Sequence, residues 1–286
     1  MINWYAYSLL ALILIGTQRF LYKVSAERRC NTALTTFTFM STVTILSVIT
    51  LFVSHEPLGN ISRLLAIGSW NSIAFVIATI THIEALKYIP AGVVYSIIRL
   101  NTGIVVIFSI ITFQDSLSPY QIAGILISVA VIIVLRRSTS EQEDSPSDLK
   151  RGFTLAFISL FAGAMAIISS KFAALYTNKM AFIMVSYGLG MVLSFGVKRR
   201  MGTAGGSENT REAFVIGIVM GLVNFAGFYA FLKALSVGPL AVIGSIMGLH
   251  FVIAIILSAL IFKEKITTSR TLGIALTIAS VVLLRI

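Results

Sequence analysis

The sequence predicts an all-α integral membrane protein of ten transmembrane helices, arranged as two inverted five-helix repeats around a central cavity. Three observations predict this: ten apolar runs long enough to cross a bilayer, a second half that repeats the first, and an odd number of runs in each half. Of the 286 residues, 57% are hydrophobic and 12% charged, against about 25% charged in a soluble domain. The net charge of +11 does not argue for nucleic acid. Its lysines and arginines cluster in the short gaps between apolar runs, where a bilayer protein keeps them. One cysteine, Cys30, excludes an internal disulfide and a thiolate metal cluster.

A helix crossing ~30 Å of hydrocarbon needs about 20 apolar residues, and only a helix satisfies its own backbone in lipid. The runs are Asn3–Tyr22, Asn31–Val53, Arg63–His82, Ala91–Phe113, Pro119–Leu135, Gly152–Ser170, Met180–Val197, Ala213–Leu232, Pro239–Phe262 and Ser269–Leu284. The first lacks a basic leader and a small-residue cleavage site, so it is read as a retained span. The connections "RRSTSEQEDSPSDLKR" (136–151) and "KRRMGTAGGSENTR" (198–211) are polar and read as solvated loops. The hydroxyls of "NTALTTFTFMSTVT" in the second run are expected to bond back to the preceding helical turn.

Shifting the second half by 149 positions lays "EALKYIPAGVVYSIIRLNTGIVVIFSIITFQDSLSPYQIAGILISVAVIIVLR" over "KALSVGPLAVIGSIMGLHFVIAIILSALIFKEKITTSRTLGIALTIASVVLLR", with 16 identities. Ala85/Ala234, Pro90/Pro239, Ser96/Ser245, Phe113/Phe262, Gly124/Gly273 and Arg136/Arg285 are among them. A shift of 148 pairs Lys23 with Lys171. The expected units are residues 1–137, a polar linker at 138–150, and residues 151–286. Five spans per half force the halves into opposite orientations.

"EALKYIPAGVVYSII" and "KALSVGPLAVIGSIM", with the acidic turns "FQDSLSPYQIAGILI" and "FKEKITTSRTLGIAL", resemble the drug/metabolite transporter superfamily, in particular its ten-helix EamA-type carriers. Asp115 and Glu264 match the family's acidic position; Gly124 and Gly273 match its glycine. The chain departs from the pattern at Thr102 and Phe251, where a mid-helix proline is frequent, and at Arg99, where a small or apolar residue is usual. The resemblance implies a carrier with its cavity between the halves, walled by the first, third, fourth, sixth, eighth and ninth spans.

Within "IIRLNTGIVVIF", Arg99 carries a permanent charge at bilayer depth, which costs at least ~2.5–3.5 kcal/mol on insertion scales. At 100° per residue it shares a polar, small-residue side with Gly92, Tyr95, Ser96, Thr102 and Gly103. Three readings stand: a pathway cation, a structural pair with Glu84 or backbone carbonyls, or a side chain snorkelling to an interface. All 11 acidic residues fall in loops or at span ends. An exporter of lipophilic cations needs a negative group in its cavity, so the signs favour an anionic or zwitterionic cargo such as an amino acid or organic acid.

Further pathway candidates are Gln18, Asn71 and His82 (two ends of one stripe with Phe75 and Ala78 between them), Asn224, Tyr229, Ser245 and His250. Asn101 lies about 160° from Arg99 on a continuous helix and is read as an interhelical hydrogen bond. His250 reads either as a titrating group or as a histidine bonded to a neighbouring helix. Gly244 with Gly248, and Gly217 with Gly221, have the small-xxx-small spacing of close helix packing, which also suits halves that rock against each other.

No zinc-protease, nucleophile-elbow or P-loop motif is present, and no loop has room for a nucleotide-binding domain. The expectation is therefore no enzyme, no cofactor and no metal, but a secondary transporter working as an exporter in the cell membrane (the inner one in a Gram-negative source). A coupling proton or an exchanged metabolite is its expected partner, and a monomer or weak dimer its expected state. A cationic-drug exporter and a non-transporting membrane protein are the competing readings. The odd-numbered connections hold 15 Lys and Arg against five at the even-numbered ones and termini, which predicts both termini outside; the family resemblance implies both in the cytoplasm.

Overall fold

The computed structural model describes residues 4–90, 93–94, 97–98, 100–136, 146–201, 209–262 and 268–285. Among them are eleven helices and no strand. They are α1 (Trp4–Glu27), α2 (Thr32–Ser54), α3 (Ile61–Tyr88), α4 (Asn101–Phe113), α5 (Pro119–Arg136), α6 (Pro146–Tyr176), α7 (Lys179–Met201), α8 (Thr210–Val237), α9 (Leu240–Gly248), α10 (His250–Ile261) and α11 (Thr268–Leu283).

Local chemistry sets many of the helix starts. Asn31, Asn60, Asn178 and Asn209 accept from the backbone N–H groups of Leu34, Arg63, Ala181 and Glu212 at 2.8, 3.0, 3.0 and 3.3 Å. Each satisfies a donor that a helix start leaves without an intrahelical partner. At α5 the Ser118 Oγ accepts from Gln121 N and the Gln121 Oε1 accepts from Ser118 N, both at 3.1 Å, forming a reciprocal capping box. Along α2 the hydroxyls of Ser41, Thr42, Thr44, Ser47 and Thr50 donate to carbonyls one turn back, which hides their polarity from lipid.

Among the described residues, seven helical stretches are long and apolar enough to cross a membrane, and three shorter apolar ones are Asn101–Phe113, Pro119–Ala130 and Thr271–Leu283. Large apolar side chains such as Phe52, Ile111, Leu126, Val192 and Leu260 cover the outside. Water does not tolerate such a surface over so large an area; lipid does.

Exchanging the two halves maps several of the main helix contacts onto one another. The α3–α6 contact corresponds to α8–α1, and α2–α8 to α7–α3, while α2–α7 and α5–α11 are each their own counterparts. Both halves therefore build one core, along a pseudo-twofold axis that passes between like helices. Glycines permit the closest crossings. A Cβ at Gly217 would lie 2.7 Å from Thr38 Cβ, and one at Gly221 would lie 2.5 Å from Thr42 Cβ, so α8 rests directly on the backbone of α2.

Three expectations change. The ninth span is not one helix: it breaks at Leu249, whose N–H bonds Ile246 O at 2.9 Å while Val252 N–H bonds Leu249 O at 3.0 Å. The first half repeats this tightening at Leu100, with Leu100 N to Ile97 O at 3.0 Å and Gly103 N to Leu100 O at 3.1 Å. Such i→i+3 turns within a helix mark strain or a hinge. The two expected loops also shrink, because α6 already begins at Pro146 and α7 continues through "KRRM" to Met201. The rest of those loops, at 137–145 and 202–208, lies outside the described residues. Finally, α1 runs to Glu27 and α3 to Tyr88, past the expected ends at Tyr22 and His82. Polar residues at a span end do not stop a helix that neighbouring helices support.

Candidate functional site

Where the helices break, a cavity of about 80 Å³ opens between the halves, enough for several water molecules at roughly 10–15 Å³ each. Its walls come from α1 (Gln18, Arg19), α3 (Phe75, Ala78, His82), α6 (Ser159, Gly163, Ser170), α8 (Asn224, Phe228) and both sides of the Leu249 break (Gly244, Gly248, His250). Ile98 and Asn101, on either side of the break at Leu100, complete it. Discontinuous helices around a central site are the arrangement by which carriers expose backbone and polar side chains at membrane depth.

The cation on this wall is Arg19. Its Nη1 lies 3.3 Å from His82 Nδ1 and its guanidinium sits 4.8 Å from the centroid of the Tyr22 ring. The Tyr22 and His82 rings meet edge to face at 5.3 Å. A guanidinium only donates, so His82 accepts through Nδ1 and carries its own hydrogen on Nε2. Among the described residues lining the cavity there is no aspartate or glutamate.

Beside Arg19 runs a buried chain of hydrogen bonds. The Tyr187 hydroxyl donates to Asn224 Oδ1 at 2.6 Å, Asn224 Nδ2 to Gln18 Oε1 at 2.9 Å, and Gln18 Nε2 to the Tyr22 hydroxyl at 3.0 Å. Tyr22 ends it with a long contact to Thr79 Oγ1 at 3.5 Å. Each amide oxygen accepts one hydrogen bond within the chain, and each amide keeps a second N–H and a second oxygen lone pair.

The structure gathers some of the expected pathway residues and separates others. Gln18, His82, Asn224 and His250 line the cavity. His250 Nδ1 sits against Met247 O across the break. Asn71 does not line it: its Nδ2 donates to Ala166 O, Ser169 Oγ and Ser170 Oγ at 2.9, 2.8 and 3.1 Å, and its Oδ1 accepts from Ser186 at 2.6 Å. It ties α3 to α6 and α7. Ser245 is fully buried and donates back to Ala241 O at 2.7 Å, and Thr102 is buried away from the cavity. Tyr229 is half-buried beneath the Lys233 ammonium at 5.4 Å. Asn101, read as an interhelical hydrogen bond, is on the cavity wall, its Nδ2 3.2 Å from where a Cβ on Gly163 of α6 would stand. Gly244 and Gly248 also line the cavity, and a Cβ at Gly244 would meet Val105 Cγ1 at 3.0 Å. Arg99, Tyr95 and Ser96 lie outside the described residues. Glu84, one reading's partner for Arg99, accepts from Thr32 and, at 2.9 Å, from Lys87.

Arg19 and Tyr187 were not among the expected residues. Arg19 lies inside the first expected span, near its end at Tyr22, and α1, which runs on to Glu27, places it on the cavity wall. The available signal was Lys23 and Glu27, an i,i+4 pair 3.4 Å apart in the structure that extends the helix. Tyr187 had no local signal, because its partner belongs to another helix.

A polytopic helical membrane protein whose two halves enclose a largely apolar cavity with a few polar side chains at interrupted helices is built as a carrier. The profile of the EamA-like transporter family matches residues 2–137 and again 150–286, and the chain belongs to that family. No curated protein matches the sequence. A solved structure, titled only "Crystal structure of protein", superposes with a TM-score of 0.74 at 15% identity, covering 98% of this chain and 95% of that one. At that identity the likeness concerns the fold.

Proposed function

We propose that the protein is a secondary carrier that exports a small anionic or zwitterionic metabolite, such as an amino acid or organic acid, across the cell membrane. Ten spans in two oppositely oriented halves would carry it, with both termini outside by the charge count. The observation that carries this reading is the sign of the cavity wall. Arg19 and the spare amide hydrogens of Gln18 and Asn224 all donate, and no carboxylate faces them among the described lining residues. A substrate carboxylate can take two parallel bonds from a guanidinium. A lipophilic cation would find no counter-charge there. Arg99, which falls in sequence between the cavity-lining Ile98 and Asn101, is proposed as a second cation of the pathway. Transport is driven by a substrate or proton gradient.

Proteoliposomes loaded with glutamate, alanine, lactate or citrate, assayed by counterflow of the labelled compound, test the reading. Arg19→Ala is expected to lower uptake of the best carboxylate at least ~100-fold and Arg19→Lys to restore part of it, because lysine keeps the charge and loses the fork. Flux of tetraphenylphosphonium alone would overturn the anionic assignment. The absence of flux for every compound would favour a membrane protein that keeps the fold without transporting.

A further inference from the structure

We infer that Asn101 is a cargo contact, and that it makes the carrier prefer a cargo whose uncharged end bears a hydroxyl or carboxamide over the isostere with a methyl there. The inference rests on the carrier reading of the cavity and not on the sign of the cargo's charge. Asn101 opens α4 immediately after the break at Leu100 and is half-buried on the cavity wall. Among the described residues its carboxamide has no hydrogen-bond partner. A glycine makes room for it: a Cβ on Gly163 of α6 would stand 3.2 Å from Asn101 Nδ2.

The two sides of the cavity have diverged since the repeat arose. At the offsets of 148 and 149, Arg19 and His82 fall on Ile167 and Phe231, and all four line the cavity. The cationic pair of α1 and α3 is thus an apolar pair on α6 and α8. Other polar groups on that side are committed within the fold: Ser159 Oγ donates to Ala78 O at 2.9 Å, Ser170 Oγ to Ala166 O at 2.7 Å, and Asn224 is held between Tyr187 and Gln18. Among the described side chains there, Asn101 carries the amide that water or a cargo must satisfy.

Which end of the amide faces the cavity does not matter, because a carboxamide offers two hydrogens and an oxygen with two lone pairs. A hydroxyl both donates and accepts, so it meets either end. Cargo that enters displaces the water on Asn101, and a methyl in that place leaves the amide dry and unpaired. A site with a polar group waiting for a substrate hydroxyl rejects the analogue that lacks it. Threonine and valine share a shape and differ in this one group, so their ratio is the measurement. In proteoliposomes Vmax/KM is expected to be about tenfold higher for threonine than for valine, the size expected for one hydrogen bond. Asn101→Leu, matched in size, should bring the ratio to within about twofold of one, because the waiting polar group is gone. Its unfolding midpoint in detergent should stay within about 2 °C of wild type, since the fold loses no hydrogen bond.

An unchanged ratio in Asn101→Leu overturns the inference, as does a lower Vmax for both amino acids at unchanged ratio, which marks packing alone. A midpoint that falls further than expected overturns it too, because the amide would then serve the fold. Equal uptake of threonine and valine by wild-type protein overturns the inference and leaves the carrier reading intact. Should Asn101→Leu fail to insert, Asn101→Ala removes the amide without adding bulk, and its ratio decides in the same way. If wild-type protein moves neither amino acid, the amino-acid cargo of the proposed function fails, and solid-state NMR of the Asn101 side-chain amide in bilayers decides the inference. Magnetisation transfer from water to that amide supports it, and the absence of transfer overturns it.

Discussion

Lys23 and Lys171 occupy matching places in the two halves but are held differently. Lys23, near the end of α1, reaches Phe262 of the other half at 5.6 Å; Lys171, near the end of α6, reaches Phe113 of the other half, also at 5.6 Å. Phe113 and Phe262 are partners in the repeat, as are Ser109 and Ser258. The Lys23 ammonium donates to Ser258 Oγ at 2.6 Å and pairs with Glu27 at 3.4 Å, its side chain 15% exposed. That of Lys171 is deeper and donates to the carbonyls of Leu235 and Gly238, both at 2.8 Å. Those carbonyls belong to the end of α8, where the helix dipole favours a cation. The duplicated fold thus preserves where each lysine reaches, while what receives it has diverged. The Lys171 end is fastened to backbone that has few other donors, and the Lys23 end to side chains that can turn away.

The largest expected difference follows. Lys171→Met leaves two buried carbonyls without their donor and should cost about 2–3 kcal/mol, the range for hydrogen bonds involving a charged group. Lys23→Met loses a hydroxyl contact and a partly exposed ion pair and should cost under ~1 kcal/mol. Thermal unfolding of the two variants in the same detergent checks this. Equal losses would show that the two ends are fastened alike and would remove the contrast.

The same contrast between backbone and side chain separates what the sequence could disclose from what it could not. Apolar runs and a repeat at a fixed offset speak for lipid and for two related halves, because both depend on composition and order alone. The hydroxyls of α2 and the glycines facing it were legible for the same reason: their partners are one turn away, or their spacing is itself the signal. Asn101 and Asn71 were not. Their faces depend on where a helix breaks and on which neighbour it meets, and Leu100 and Leu249 carry no residue that announces a break. Arg19 carried no sign of its role because what faces it comes from other helices, and Tyr187 acquires meaning only through Asn224, distant in sequence. The sequence reading put the pathway's positive charge on Arg99, which lies outside the described residues, whereas the described wall carries Arg19.

A middle-sized effect should separate the tightest helix crossing from an open one. At Gly221 an added Cβ would meet Thr42 Cβ at 2.5 Å and Phe39 O at 3.0 Å, while at Gly103 it would meet nothing within 4 Å. Gly221→Ala should therefore cost about 1–3 kcal/mol by overpacking α8 against α2. Gly103→Ala should be neutral or stabilise α4 by roughly 0.5–1 kcal/mol, because alanine is the better helix former. Both are read from unfolding midpoints in detergent. A neutral Gly221→Ala would mean that α2 and α8 slide apart easily, and the rigid side of the fold would have to be sought elsewhere.

The smallest effect concerns reactivity at the two ends of α2. Cys30 precedes the helix, is fully buried, and burial pushes its thiol above the usual range; Ser54 closes the helix at the other end and is exposed. The thiolate is the reacting form, so a raised thiol leaves less of it at neutral pH, and the rate should climb as pH rises toward the shifted value. Maleimide labelling of wild-type protein at pH 7 is expected to be about tenfold or more slower than labelling of Ser54→Cys in a Cys30→Ser background. Stability should be nearly unchanged, since serine at position 30 fits the same small space. Equal rates would mean that the α1–α2 connection opens on the labelling time scale. The Lys23 end would then be looser than the Lys171 end, in keeping with the contrast between them.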